Sequence, residues 1–312
     1  MSRAELGRRV NLLGPWLRRR FGGRVAKVGL DLGLGCPNRE HGRGGCAFCT
    51  PLAAGRGLAA LPLERQWDQG RQRLAAAAAR RGQAPPRMLA YLQAFTSTHA
   101  PAPRLAALYA RVAALPDAAG VIISTRPDCL DAPRWDLIAN LAERLPLWLE
   151  LGLQSAHDPT LAAIGRGHDR AAFDAAVAQA RARGVDVVAH VILGLPGESQ
   201  THTNATADHL ARLGVWGVKL HQLMILEGSR LAADWRAGRL TPWSLSQWAA
   251  AAAGFLARLP EAMVVHRLAA DPGPETLLAP DWAANKGLAL DALGGYMLEH
   301  DLRQGAAWPR KA

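Results

Sequence analysis

The chain contains the stretch Leu34-Gly-Cys36-Pro-Asn-Arg-Glu-His-Gly-Arg-Gly-Gly-Cys46-Ala-Phe-Cys49, which holds three of its four cysteines in the pattern C-x9-C-x2-C. Three thiolates on one glycine-rich loop can bind an iron–sulfur cube at three corners, which leaves the fourth iron without a protein ligand. Such an iron can bind a small molecule. The spacing therefore predicts a reactive [4Fe–4S] centre with Cys36, Cys46 and Cys49 as its ligands.

Two other interpretations of this stretch remain open. A structural zinc site normally has four ligands, often in two close pairs, and the sequence has no second C-x2-C pair, although His41 could supply a fourth ligand. Disulfides belong to oxidising compartments, whereas an odd cluster of three cysteines in a chain without a signal peptide favours a reducing one.

Further motifs, in order along the chain, give it a resemblance to a known family. They are Cys36-Pro-Asn-Arg, Gly44-Gly-Cys-Ala-Phe-Cys49, Gln93-Ala-Phe-Thr96, Ser124-Thr-Arg-Pro-Asp-Cys-Leu130, Glu150-Leu-Gly-Leu-Gln-Ser-Ala-His-Asp158, Arg166-Gly-His-Asp169, His190-Val-Ile-Leu-Gly-Leu-Pro-Gly-Glu198, Lys219-Leu-His221, His266-Arg-Leu268, Glu275-Thr-Leu277 and Asn285-Lys286. The set resembles the YhcC/YtqA-like family of radical S-adenosylmethionine (SAM) proteins. It is more distantly similar to the radical domain of the elongator catalytic subunit.

The resemblance implies an enzyme with a [4Fe–4S] cluster and SAM as cofactors. The methionyl group of SAM would chelate the open iron, and reductive cleavage would give a 5′-deoxyadenosyl radical that takes a hydrogen atom from the substrate. The protein must then hold the reactive carbon against the substrate and exclude solvent and oxygen. An electron donor such as flavodoxin or ferredoxin is the expected partner for the reduction.

The fold expected from the sequence is α/β, because short β-like runs alternate with helix-like stretches. The candidate strands are residues 26–32, 88–95, 120–125, 147–154, 185–193 and 217–226, and the candidate helices between them are residues 63–81, 104–115, 133–145, 170–184 and 201–213. Six such units, together with the resemblance, predict a partial, six-unit β/α barrel of the radical SAM type over residues 26–230. An N-terminal basic segment (1–25) would precede the barrel. A C-terminal α/β extension (231–312) would follow it, with helices at 244–259 and 288–300 and a β-like run at 263–268.

In a β/α barrel the loops after the strands share one face, and that face carries the chemistry. The residues predicted to bind the cofactor there are Gln93, Thr96, Ser97, Arg126, Glu150, Gln154, Gly194 and Gly197. Glu150 and Gln154 lie four apart on one strand and so face the same side. A buried Glu150 carboxylate needs a partner, such as a ribose hydroxyl, an ammonium group or Arg126. The polar strand ends and the glycine turn can also be plain loop structure.

Four residues are candidates for the reaction itself, namely Cys129, His190, Lys219 and His221. Cys129 follows the third strand, and as a fourth cluster ligand it would close the site to SAM. It could contact a radical or the substrate, or be a small buried thiol. His190 and His221 could point inward as proton donors or substrate ligands, or be core histidines.

The excess of basic residues indicates what kind of molecule the protein binds. The chain has 37 Lys and Arg against 26 Asp and Glu, a net charge of +11, which favours nucleic acid as partner or substrate. Basic residues gather at Arg18-Arg-Arg20 with Arg24 and Lys27, although a solvated arginine-rich surface would look the same. The sequence has neither an apolar run long enough for a membrane span nor a secretory signal at its start, so a cytoplasmic location is expected.

The resemblance implies that the substrate is transfer RNA (tRNA), with the side chain at carbon 5 of the wobble uridine as the group remodelled. A length of 312 residues leaves no room for the acetyltransferase domain of the elongator subunit, which favours conversion of carboxymethylaminomethyl to aminomethyl. His266, Arg267, Trp282 and Lys286 suit an anionic substrate that stacks, while the commoner role for a residue such as Trp282 is to anchor packing. A small metabolite or protein substrate, or a non-enzymatic iron–sulfur or zinc module, are the alternatives.

Overall fold

A computed structural model describes residues 3–40, 44–50, 55–271 and 276–309, so that His41 and Glu275 lie outside the described residues. The strands are β1 (Val25–Leu30), β2 (Arg87–Leu92), β3 (Ala118–Thr125), β4 (Leu147–Gln154), β5 (Asp186–Leu193), β6 (Gly217–Gln222), β7 (Ile225–Leu226), β8 (Val264–Arg267) and β9 (Leu277–Ala279). The helices are α1 (Arg3–Arg9), α2 (Leu13–Phe21), α3 (Leu63–Ala79), α4 (Ala102–Ala113), α5 (Ala132–Arg144), α6 (Asp158–Ala163), α7 (Arg170–Ala182), α8 (Gln200–Leu213), α9 (Arg230–Arg236), α10 (Leu245–Ala257) and α11 (Lys286–Glu299). None of these helices is both long enough and apolar enough to span a membrane.

Within the described residues, seven parallel strands form one curled sheet in the order β1-β2-β3-β4-β5-β6-β8. The first six follow chain order and are joined by helices, which confirms the predicted partial β/α barrel. The seventh strand comes from the run predicted at 263–268, which pairs with β6 and so continues the barrel sheet. The predicted strand 217–226 is broken after Gln222, and β7 instead pairs antiparallel with β9.

The two faces of the sheet bury different layers. The outer face packs under the helices, where side chains such as Leu92, Ile123, Leu149 and Leu220 join one large core. The inner face carries a smaller apolar cluster at the base of the half-barrel, built from Leu89, Ile122, Trp148, Val188 and Val264. Successive residues along each strand therefore point alternately to the outer and the inner layer, as the pleat of a β-strand requires.

Helix α2 closes the base of the half-barrel. Its Leu13 and Leu17, one turn apart, belong to the inner cluster, and the Trp16 ring packs edge-on against Trp148 at a centroid distance of 6.1 Å. The helix ends at Gly22, which takes the left-handed conformation at φ 67°. The sequence predicted only a basic segment here. Its arginine run, residues 18–20, lies on the exposed side of an amphipathic helix.

Candidate active site

A polar layer lies above the apolar base, and every strand of the seven-stranded sheet contributes to it. The contributing side chains, in sheet order, are Lys27, Tyr91, Ser124, Glu150, His190, Lys219 and His266. The Glu150 carboxylate is at their centre and is completely buried. We refer to these seven residues as the Glu150 network.

Both oxygens of Glu150 face groups of the protein. Oε2 accepts hydrogen bonds from Tyr91 Oη at 2.7 Å, Ser124 Oγ at 3.0 Å and Lys219 Nζ at 2.7 Å, and lies 2.8 Å from His190 Nε2. Oε1 lies 3.2 Å from His266 Nδ1 and 3.5 Å from Lys27 Nζ. A buried carboxylate needs such partners to offset its lost hydration. The predicted alternative partner, Arg126, instead forms a two-pronged ion pair with Asp128, at 2.7 and 2.9 Å.

The protonation states within the Glu150 network follow from burial and charge. Burial opposes ionisation of Glu150, but Lys219, His190 and His266 outweigh it and hold the pKa of the carboxyl well below its ordinary value. Burial lowers the pKa of Lys219 to about 8, despite the attraction of Glu150. Burial and the charge of Lys219 lower the pKa of His190 to about 4. At neutral pH the layer therefore contains an anionic Glu150, a cationic Lys219 and a neutral His190.

The free energy of unfolding is expected to fall as the pH is lowered from about 6.5 to about 4. Burial lowers the pKa values of His190 and His266 to about 4, so the unfolded chain binds protons in this range that the folded chain does not. Each histidine contributes a loss of up to about 1.4 kcal/mol per pH unit. Urea unfolding at pH 7, 6 and 5 measures the slope. An unchanged slope in His190→Gln would contradict this assignment.

A cavity of about 370 Å³ opens above the Glu150 network, at the carboxyl ends of the strands. The predicted residues that line it are Cys36, Cys46, Cys49, Gln93, Thr96, Arg126, Glu150, Gln154, His190, Lys219 and His221. Gln154 follows a β-bulge in β4 and has φ 76°, yet it shares the cavity wall with Glu150. The structure thus brings together motifs from five strand ends and the cysteine loop.

Four of the predicted site residues do not line this cavity. The Ser97 hydroxyl donates to the Leu92 carbonyl at 3.1 Å, and Gly194 packs against the Trp243 ring after β5. Gly197 lies in the same turn with φ 79°, a backbone conformation that favours glycine. This conformation explains the glycine, and a ligand contact is not needed to explain it. Cys129 ends a short 3₁₀ turn, and burial raises the pKa of its thiol to about 12.

The cysteine loop is held by hydrogen bonds to its sulfur and backbone atoms. Asn38 Nδ2 donates to Cys46 Sγ at 3.2 Å and to the Arg166 carbonyl at 2.7 Å, while Arg166 Nη1 lies 3.7 Å from the same sulfur. A hydrogen bond from Cys49, followed by the charge of Arg166, lowers the pKa of Cys46 to about 5 against the effect of burial. Gly45 reaches φ 90°, a conformation that glycine adopts without strain.

The donor set around the cysteines fits an anionic metal cluster. Arg126 Nη1 and Arg166 Nε are buried without a hydrogen-bond partner among the described residues, and both side chains line the cavity with the cysteines. A guanidinium nitrogen that is buried without a partner can be satisfied by a negatively charged ligand. The described residues contain no group of three or more His, Cys, Asp or Glu side chains arranged around a single metal ion. The zinc alternative with His41 lies outside the described residues.

Sequence reasoning missed several members of the site. It grouped Lys27 with the surface arginines and gave Tyr91 no role, although both belong to the Glu150 network. The available signal was a polar side chain at an inward position of an otherwise apolar strand. In the extension, Trp282 donates to the Trp243 carbonyl at 3.0 Å as a packing anchor, and Lys286 pairs with exposed Asp271 at 2.6 Å.

Comparison with known proteins agrees with this geometry. The family model described as the Radical SAM superfamily matches residues 31–210, and the Radical_SAM C-terminal domain matches residues 215–299. The chain therefore belongs to the radical SAM superfamily, whose members use a [4Fe–4S] cluster and SAM.

Individual relatives cover the chain to different extents. It is 38% identical to Protein YhcC of Escherichia coli strain K12 (98% of this chain, 97% of that protein) and 35% identical to uncharacterized protein YtqA of Bacillus subtilis strain 168 (97% and 94%), which confirms the predicted resemblance. The structure of archaeal Methanocaldococcus infernus Elp3 shares the fold, with a TM-score of 0.70 and 16% identity over 90% of this chain and 64% of that one. The tRNA uridine(34) acetyltransferase of Dehalococcoides mccartyi strain CBDB1 is 31% identical over 127 residues, 40% of this chain and 27% of that protein.

Proposed function

We propose that this chain is a radical SAM enzyme that converts the carboxymethylaminomethyl side chain of a tRNA wobble uridine into an aminomethyl group. The observation that carries the proposal is the cavity at the carboxyl ends of the strands. It joins three cysteines on one wall to the Glu150 network at its floor. Catalytic residues of β/α barrels lie at this end.

The proposed roles follow from position. Cys36, Cys46 and Cys49 hold the cluster, and Gln93, Thr96, Arg126 and Gln154 face SAM. When bound, these cofactors would supply hydrogen-atom abstraction from the substrate and take back the remaining electron, so that water could release the carboxymethyl group as glyoxylate and leave the aminomethyl product. Glu150 fixes Lys219 and His190 at the cavity floor, where Lys219 offers one free N–H donor to the substrate and His190 stays neutral.

The choice of tRNA is supported by relatives and by charge. One partial relative is named as a tRNA uridine(34) acetyltransferase, and the structure of an archaeal Elp3 has the same fold as this chain. The net charge of +11 and the exposed arginines at positions 18–20 suit a polyanion. A flavodoxin or ferredoxin is the proposed source of electrons.

Anaerobic reconstitution with iron and sulfide, followed by an assay for 5′-deoxyadenosine, tests the proposal. We expect product only with a reductant, and more of it when tRNA that carries carboxymethylaminomethyl uridine is added. Mass spectrometry of the digested tRNA should then show the aminomethyl nucleoside. 5′-Deoxyadenosine formation without any change in the nucleoside would favour a small-molecule or protein substrate. No SAM cleavage would favour a non-enzymatic module.

A further inference from the structure

Arg267 is a cation on the cavity wall whose hydrogen-bonding capacity is not filled. It lies on β8 and lines the cavity, and its guanidinium contacts the ring nitrogens of His221. Its Nε atom is buried and has no hydrogen-bond partner among the described residues. Its nearest acidic neighbour in sequence, Asp271, is bound to Lys286. Among the residues that the structure describes, the half-buried Arg267 therefore has no carboxylate partner of the kind that a guanidinium out of water normally has.

A bulge in β8 places this guanidinium in the cavity. The pairing of β6 with β8 shifts register between Val218 and Lys219, so that His266 is skipped and Arg267 becomes the partner of Lys219. Both His266 and Arg267 consequently reach the interior, His266 toward Glu150 and Arg267 toward His221. Bulges commonly redirect a side chain next to a binding site.

Charge in this part of the cavity is unbalanced. Lys219 and Arg267 line the cavity, and Lys27 lies 3.5 Å from the Glu150 carboxylate, so three cations stand against one anion. Two of the three ammonium protons of Lys219 are used by Glu150 and Tyr91, which leaves one. His221 next to Arg267 is neutral, since burial and then Arg267 hold the pKa of the imidazole well below its ordinary value. The wall therefore offers unfilled donors and excess positive charge to an anion.

We propose that Arg267, assisted by Lys219, binds a carboxylate of the substrate. A guanidinium can bind a carboxylate through two parallel N–H bonds, which gives orientation as well as affinity. Both side chains lie on the wall of a cavity that is entered from above, and a terminal side-chain carboxylate suits that approach better than a backbone phosphate between two nucleosides. This assignment rests on the proposed function. In that function the carboxymethyl group of the substrate carries the carboxylate, and the aminomethyl product has no carboxylate.

The test compares two tRNAs, one with carboxymethylaminomethyl and one with aminomethyl at the wobble position. Binding to the anaerobically reconstituted protein is measured at fixed salt. We expect the wild type to bind the first about tenfold more tightly or better, as a charge-assisted pair predicts. Arg267→Gln should bind both equally. Arg258→Gln is the matched control, because Arg258 pairs with Asp208 away from the cavity, and it should keep the preference.

The outcomes separate the possible sources of the carboxylate. If Arg267→Gln keeps the tRNA preference but loses affinity for SAM, the carboxylate is the methionyl one and the assignment is overturned. If the wild type converts the tRNA yet shows no preference for the carboxylate, the subsite is overturned while the proposed function stands. If the wild type neither binds nor converts either tRNA, the proposed function is overturned, and the carboxylate subsite that rests on it is overturned as well. Circular dichroism of both variants confirms that they fold.

Discussion

Replacement of Cys46 by serine is expected to abolish binding of the iron–sulfur cluster and cleavage of SAM. Cys46 is the most buried of the three clustered cysteines, and its sulfur accepts from Asn38 while lying close to Arg166. A serine hydroxyl at this position stays protonated and is a poor ligand for iron. Iron and sulfide content after anaerobic reconstitution, with the visible absorption of the cluster, measures the loss.

Cys129→Ser is the matched control for this substitution. Cys129 is the fourth cysteine of the chain, and it does not line the cavity that the three clustered cysteines share. The Cys129→Ser protein should therefore take up as much iron and sulfide as the wild type. Equal loss of iron in both variants would show that Cys129 is a ligand, and the open iron required for SAM would then be absent.

Replacement of Glu150 by glutamine is expected to destabilise the protein by about 3–5 kcal/mol, the cost of breaking a buried ion pair by removing one partner. Glutamine leaves the buried Lys219 and the half-buried Lys27 without a counter-charge, and its amide group places hydrogen-bond donors against donors. The change in the free energy of unfolding can be measured by urea denaturation at neutral pH. Cavity residues that depend on Glu150 for position, such as His190, should lose their order as well.

Two further variants test whether the loss of stability is specific to the buried carboxylate of Glu150. Glu64→Gln removes an exposed carboxylate that binds Arg111 in two-pronged fashion, and it should cost less than about 1 kcal/mol. Adding Lys219→Met to Glu150→Gln removes the uncompensated cation and should recover part of the loss. A Glu150→Gln protein as stable as the Glu64→Gln protein would contradict the central place of Glu150 in the network.

The secondary structure could be predicted largely from local pattern. Strand β4 begins and ends at the predicted residues, because Pro146 and the long apolar run define it without ambiguity. The predicted strand 217–226 was wrong at its end, since apolar residues continue through the turn after Gln222 and hydropathy does not mark the break. Helix α2 was missed because a conspicuous basic run, residues 18–20, directly follows its apolar positions Leu13 and Leu17.

The cysteine ligands could be predicted from spacing, whereas the floor of the cavity could not. The Glu150 network joins Lys27 on the first strand to Glu150 on the fourth and His266 on the last. Strands so far apart in the sheet approach each other only because the sheet curls, and curvature is a property of the whole barrel. The sequence also could not show that Arg126 pairs with Asp128 rather than Glu150.

The closed base of the half-barrel has a consequence for how the protein is made. The Asn11 side chain donates to the Ala262 carbonyl, 251 residues later in the chain, and the backbone of Asn11 accepts from Val265 on β8. Helix α2 emerges from the ribosome early, but the surface against which it packs is incomplete until β8 has been synthesised. The apolar face of α2 is therefore expected to stay exposed during most of translation. Chaperones can bind the exposed face in that period.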